Sequence, residues 1–238
     1  MDNAGYIDLS RQSGLLREMN AIANNIANVN TIGYRRESVL FAEHVKALDD
    51  VDPSISIATM DRRYVDFTEG ELATTQNPLD VAIEGQGFFL VESSDGPRLT
   101  RAGSFSLNAV GEIITLGGRR VLDEGGGPLV IPPQAGSIAV ASDGSITADG
   151  QAVGRFGVVT ADSASLVREG DNLFRADSGY ETATTARVRQ NALEGSNVSA
   201  VSEIARLIEV QRTYEMGQKF LQDENERIMR AVRELGET

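Results

Sequence analysis

The sequence predicts an α+β protein with an antiparallel β domain inserted between N- and C-terminal coiled-coil-forming helices. Three observations carry this reading. Apolar residues recur at alternating spacings of three and four near both ends of the chain, the seam of a helix that packs on another helix. Between them the apolar period changes to two. That middle part is punctuated by Gly and Asp-Gly pairs, which suit the positive-φ positions of tight hairpins.

The first helical stretch covers residues 3–29, which hold no Pro and only Gly5 and Gly14. Its seam reads Leu15, Met19, Ile22, Ile26 and Val29. Asn24, Asn25, Asn28 and Asn30 crowd its end. Asn is a poor helix-interior residue because its amide competes for backbone bonds. Gly33 then offers a left-handed stop, so the helix is expected to end between Asn28 and Gly33.

The β reading runs from about Asn77 to Arg175. Val81-Ala82-Ile83 and Phe88–Val91 flank Gly85-Gln86-Gly87, and Asp95-Gly96 turns into Leu99–Leu107. Glu112–Leu116, Leu129–Ile131, Ile138–Ala141, Ile146–Ala148 and Phe156–Thr160 follow, with Asp143-Gly144 and Asp149-Gly150 between the later runs. Such short, evenly punctuated strands suggest a small barrel-like or sandwich-like domain.

Residues 197–236 return to a helical period. One register reads Ile204, Leu207, Gln211, Tyr214, Gln218, Leu221, Asn225, Ile228, Val232 and Leu235, with Ser196 or Asn197 available as the cap. A helix over 200–235 is about 54 Å long, against about 40 Å for the first helix. Its narrow apolar stripe calls for a helical partner, and the other end of the same chain is the nearest one. The expected organisation is therefore 1–34 with 191–238 as a discontinuous helical domain, 35–76 as an extended connector, and 77–190 as the β domain. The longer C-terminal stripe favours packing between molecules beyond the pairing within one. Gln211, Gln218 and Asn225 are either tolerated polar positions or register selectors, since a polar seam residue is costly when mispaired.

Composition narrows the chemistry. At 41% hydrophobic and 24% charged the chain is globular rather than disordered. A net charge of −13 without a basic stripe argues against nucleic acid and against an anionic membrane surface. The absence of Cys removes disulfides, thiolate metal sites and Cys nucleophiles, and the single His44 removes mechanisms needing several imidazoles. His44 reads as an exposed connector residue. No Gly-x-Ser-x-Gly, phosphate-binding loop or EF-hand spacing occurs. No membrane span and no secretory signal is expected. Catalytic, cofactor-binding and metal residues are thus expected to be none.

Three segments carry a family resemblance. The first is Ala23-Asn24-Asn25-Ile26-Ala27-Asn28-Val29-Asn30-Thr31-Ile32-Gly33-Tyr34-Arg35-Arg36. The second is Asn77–Phe89 followed by Leu99-Thr100-Arg101-Ala102-Gly103-Ser104-Phe105, and the third is Leu193-Glu194-Gly195-Ser196-Asn197-Val198. Together they resemble the axial proteins of the bacterial flagellum: rod, hook and hook-associated subunits. The length and the Met1-Asp2-Asn3-Ala4 start resemble the proximal rod subunits. Asn77–Phe89 is also similar to distal rod and hook versions.

The resemblance implies a structural subunit, not an enzyme, exported through the flagellar type III apparatus without a cleaved signal. It implies assembly in the periplasmic part of the basal body with copies of itself and with other proximal and distal rod subunits, into a torque-transmitting shaft. The residues expected at the assembly interface are Leu15, Met19, Ile22, Ile26, Asn28, Asn30 and Gly33 near the N-terminus. Ile204, Leu207, Tyr214, Leu221, Ile228, Val232 and Leu235 are their counterparts near the C-terminus. A secreted β-domain adhesin with a helical stalk is the reading from another class; it calls for one stalk rather than heptads at both ends. A hydrolase built on Asp/Glu pairs is a third, but those acids mostly sit beside Gly in turns, where solvation explains them.

Overall fold

A computed structural model of the chain describes residues 2–46 and 55–236, with side chains described over 9–39, 64–230 and at 233. Two helices bracket a predominantly antiparallel β region: α1 (Asp2–Ala27) and α2 (Ala200–Gly236). The chain forms two compact units. The helical unit comprises Met1–Val29, Arg36–Asp66 and Val198–Thr238, and the β unit comprises Asn30–Arg35 and Phe67–Asn197.

Residues 35–76, expected as an extended connector, instead contain a long hairpin. Strand β1 (Glu37–Lys46) pairs antiparallel with β2 (Ile55–Val65), and the register shifts at a bulge between Leu40 and Phe41. The extra residue, Asp61, lies in β2, where it breaks the period of two. His44 lies in β1 opposite Ile57, and its side chain falls outside the described ones. In this unit α1 packs against α2 and against the hairpin.

Helix α1 stops within the Asn cluster, just before Asn28. The Asn28 side-chain amide donates to the Asn24 carbonyl at 2.8 Å, and its backbone N–H reaches the carbonyls of Asn24 and Asn25 at 3.1 Å. Helix α2 begins at Ala200, but its cap differs from the expected one: Ser199, not Ser196 or Asn197, precedes its first residue, and the Glu203 N–H bonds the Ser199 carbonyl. The Asn197 amide is engaged elsewhere, with the Thr68 carbonyl at 3.0 Å.

In the β unit, six strands form one antiparallel sheet in the order Leu166–Glu169, Leu173–Ala176, Arg98–Thr100, Phe88–Val91, Val158–Thr160, Glu181–Thr182. Gln151–Arg155, Ser145–Ala148 and Ile138–Val140 form a three-stranded sheet, and Asp149 and Gly150 both take positive φ at its first turn. That is the conformation for which Asp-Gly is suited. The run Leu99–Leu107 is two strands, because Arg101–Ser104 leaves the ladder to make the contacts described below. The core gathers Leu79, Val81, Ile83, Val91, Ile113, Val121 and Ile131 around an aromatic trio. In that trio the Phe89 ring lies 5.2 Å from Phe105 and 5.6 Å from Phe156.

Candidate assembly surface and its internal anchors

The covered residues of α2 run Glu203, Leu207, Val210, Tyr214, Gly217, Leu221 and Glu224, with Thr213 beside them. This is a strict 4-3 alternation, but only half of it matches the apolar register read from the sequence. Leu207, Tyr214 and Leu221 are shared. The alternating partners lie one residue earlier than Ile204, Gln211, Gln218 and Asn225, all of which are exposed. Polar chemistry explains the displacement. Glu203 is 1% exposed because its carboxylate accepts from Asn25 at 3.0 Å and from Arg36 at 2.5 Å. Gly217 stands in the seam against Gln12: a Cβ there would lie 2.7 Å from the Gln12 amide nitrogen, so a larger residue would have to move that side chain.

The proposed register selectors therefore play no such part within the helical unit. Gln211 bonds Glu215 and Gln218 bonds the Tyr214 hydroxyl, both local contacts on α2. Asn25 is the buried polar residue that aligns the elements. Its Oδ1 accepts the Glu37 N–H at 2.9 Å, while Nδ2 donates to the Glu37 carbonyl at 2.7 Å and to Glu203. One side chain thus ties the end of α1 to the start of β1 and to the first turns of α2. An unmatched buried amide would lose these bonds and leave polar atoms dry.

The other expected interface residues divide by exposure. On α1, Ile22 is buried and Leu15, Met19 and Ile26 are half-buried against their own chain, as is Asn28 just beyond its end. Asn30 is exposed, and so are Ile204 and Ile228 at 48% and 42%. Val232 and Leu235 have side chains outside the described ones. The apolar surface that is free within one chain lies largely elsewhere: Leu9, Leu16, Val201, Ile208, Met216, Phe220 and Met229 are all exposed. A hydropathy pattern registers these as off-seam residues, which is why the sequence did not single them out.

Gly33 is not free for a neighbour. It is buried in the β unit at φ +66°, where a Cβ would meet the backbone of Arg101 and Ala102 at 2.5 Å. Its N–H donates to the Glu194 carbonyl at 2.7 Å. The whole 30–35 segment is clipped to that unit. Asn172 donates to the Ile32 carbonyl at 3.0 Å, Arg168 donates to the Arg35 carbonyl, and the Arg168 guanidinium lies 4.4 Å over the Tyr34 ring.

Glu194 is the centre of these anchors. Its carboxylate accepts from Arg35 at 2.6 Å, from Arg101 at 2.7 Å and from the Gly70 N–H at 2.9 Å. All three charged side chains are almost fully buried. Arg101 spends its remaining donors on the carbonyls of Ile83, Gly85 and Gly87. Burial pulls the Arg35 guanidinium down from its ordinary value, and the adjacent Glu194 opposes that pull. Residues from 191 onward were expected to belong to the helical domain. Instead Ala192–Glu194 is a strand paired with Leu72–Thr74, which sets Glu194 at the end of a ladder.

Half-buried and exposed carboxylates of the β unit are held below their usual range by donors: Glu169 by Arg98, Glu92 by Arg120, Asp143 by the Ser145 N–H, and Asp149 by the Gly136 N–H. A carboxylate whose folded pKa is depressed contributes stability above its unfolded pKa and loses it as the pH falls through the folded one. The thermal midpoint of the β unit is therefore expected to be level near neutrality and to fall once the pH drops below about 4, the ordinary carboxylate range. Melting curves across pH 3–7 check this; a midpoint that rises on acidification would contradict it.

Three family models cover most of the chain. The flagella basal body rod protein model matches residues 6–35, the flagellar hook protein FlgE/F/G D1 domain matches 82–148, and the flagellar basal body rod FlgEFG protein C-terminal model matches 189–234. Similar curated proteins include the flagellar basal-body rod protein FlgF of Caulobacter vibrioides, 41% identical with 99% of each chain covered. FlgF of Rhizobium meliloti is 34% identical, also over 99% of each chain. The flagellar basal-body rod protein FlgG of Bacillus subtilis is 30% identical over 95% of this chain and 97% of its own. With full-length similarity to FlgF proteins and rod models at both ends, this chain belongs to the flagellar basal-body rod protein family, of the FlgF type.

Proposed function

We propose that the chain is a non-enzymatic structural subunit of the proximal rod. In this reading it assembles helically with copies of itself and with other rod subunits into the torque-transmitting shaft. The observation that carries it is full-length similarity to FlgF rod proteins. The exposed apolar residues of α1 and α2 support it, because a lone chain leaves Leu9, Leu16, Ile204, Ile208, Met216 and Phe220 in water. Such surface is the mark of a partner. The coiled-coil role of the terminal helices, periplasmic placement and export without signal cleavage belong to the same proposal.

Deleting the gene is expected to leave cells without complete flagella and non-motile, with restoration by the full chain. Basal bodies purified from the restored strain are expected to contain the chain in fixed amount. Normal flagella in the deletion strain would overturn the reading.

A further inference from the structure

A groove of about 450 Å³ opens on the helical unit, lined by Leu9, Gln12, Leu16, Tyr214, Gln218 and Leu221 among others. Leu9 and Leu16 are 63% and 43% exposed, and among the described residues no charged side chain lines it. On the same stretch of α2, Met216 and Phe220 project into water at 65% and 54% exposure.

Their directions on the helix are decisive. At 3.6 residues per turn, successive residues are about 100° apart. Taking Leu221 as the reference, the groove-lining Tyr214, Gln218 and Gln222 lie roughly 20–100° to one side, and Phe220 and Met216 lie roughly 100–140° to the other. Groove and projection are therefore on opposite flanks of one helix, at the same height along it.

We propose that Met216 and Phe220 of one copy seat in the Leu9–Leu16–Tyr214–Leu221 groove of the next copy of this chain. The proposal rests on the rod-subunit reading and names the partner of that surface. Because they face opposite ways, groove and projection cannot both meet one partner across a two-fold axis. Their contact is head-to-tail, and each copy that joins presents a fresh groove or a fresh projection. The two features also match in character: a hollow whose described lining joins Leu9, Leu16 and Leu221 to neutral polar groups, and an aromatic–thioether pair one helical turn apart.

These six side chains, each only partly exposed, supply a few hundred Å² at most, well under the roughly 1,200–2,000 Å² of a stable isolated pair. The contact is therefore too small to hold two copies in dilute solution. In an assembly each interior copy makes it twice, once through its groove and once through its projection.

The absence of Cys allows a direct test. The Leu16→Cys/Phe220→Cys chain replaces the chromosomal copy, basal bodies are purified, and oxidation is followed by non-reducing electrophoresis. A ladder of three or more linked copies is expected, with nothing from either single variant. No adduct, dimers alone, dimers from Phe220→Cys by itself, or adducts to a different rod protein would each overturn the proposal. Absence of the wild-type chain from basal bodies would instead overturn the rod reading beneath it. Phe220→Asp gives an independent measurement. Because the site is exposed in one copy, the melting curve is expected to be unchanged while flagella are lost, and normal flagellation would overturn the proposal.

Discussion

Glu194→Ala is expected to cost the β unit about 3–5 kcal/mol, the usual loss when one member of a buried ion pair is removed. The change leaves Arg35 and Arg101 buried without their carboxylate, and it strips the Gly70 N–H of its acceptor. The penalty is mostly that of the stranded charges rather than of the contact itself. Glu194→Gln keeps an acceptor for these donors and should lose less. Urea unfolding of the full-length variants checks both. A Glu194→Ala loss below about 1 kcal/mol, the scale of a surface pair, would show that the hub is solvated.

A chain ending at Gln190 is expected to lose the cooperative unfolding of its β unit, whereas one ending at Asn197 keeps it. The seven residues between these ends include the strand Ala192–Glu194 and the Glu194 carboxylate, together with Gly195, whose N–H donates to the Glu71 carbonyl. Asn197 closes the unit through its N–H to the Tyr34 carbonyl. Both chains lack α2, and with it the cover of α1, so both are expected to be non-motile in cells carrying no other copy. Calorimetry of the two truncated proteins beside swimming assays separates the effects. Equal melting transitions would place the boundary of the β unit before residue 191, as the sequence alone had suggested.

That boundary illustrates what period can report. Strands such as Val81–Glu84 and Phe88–Val91 were readable because apolar runs end at Gly-marked turns. The hairpin of Leu166–Glu169 with Leu173–Ala176 was not, although Asp171 and Asn172 both take positive φ, as Asp149 and Gly150 do. Asp-Asn is a weaker turn signal than Asp-Gly, because only Gly escapes the steric cost of that region. On α2 the sequence suggested an apolar ladder, and the covered ladder includes Glu203 and Gly217, which no hydropathy pattern would select.

By itself the sequence determined the two terminal helices, the antiparallel middle, the end of α1 near Asn28, and the family through Asn24–Arg36. These rest on local chemistry: helical spacing, turn residues and a contiguous motif are all visible within a short window. Only the tertiary structure decided the seam of α2, the limits of the β unit, and why that motif is spelled as it is. Asn25 meets Glu203, Arg35 meets Glu194, and Gly33 lies against Arg101. Each of these is a buried polar or close backbone contact between residues far apart in the chain. A charge or a glycine becomes favourable at such a place only when its partner arrives, and no local pattern records that arrival.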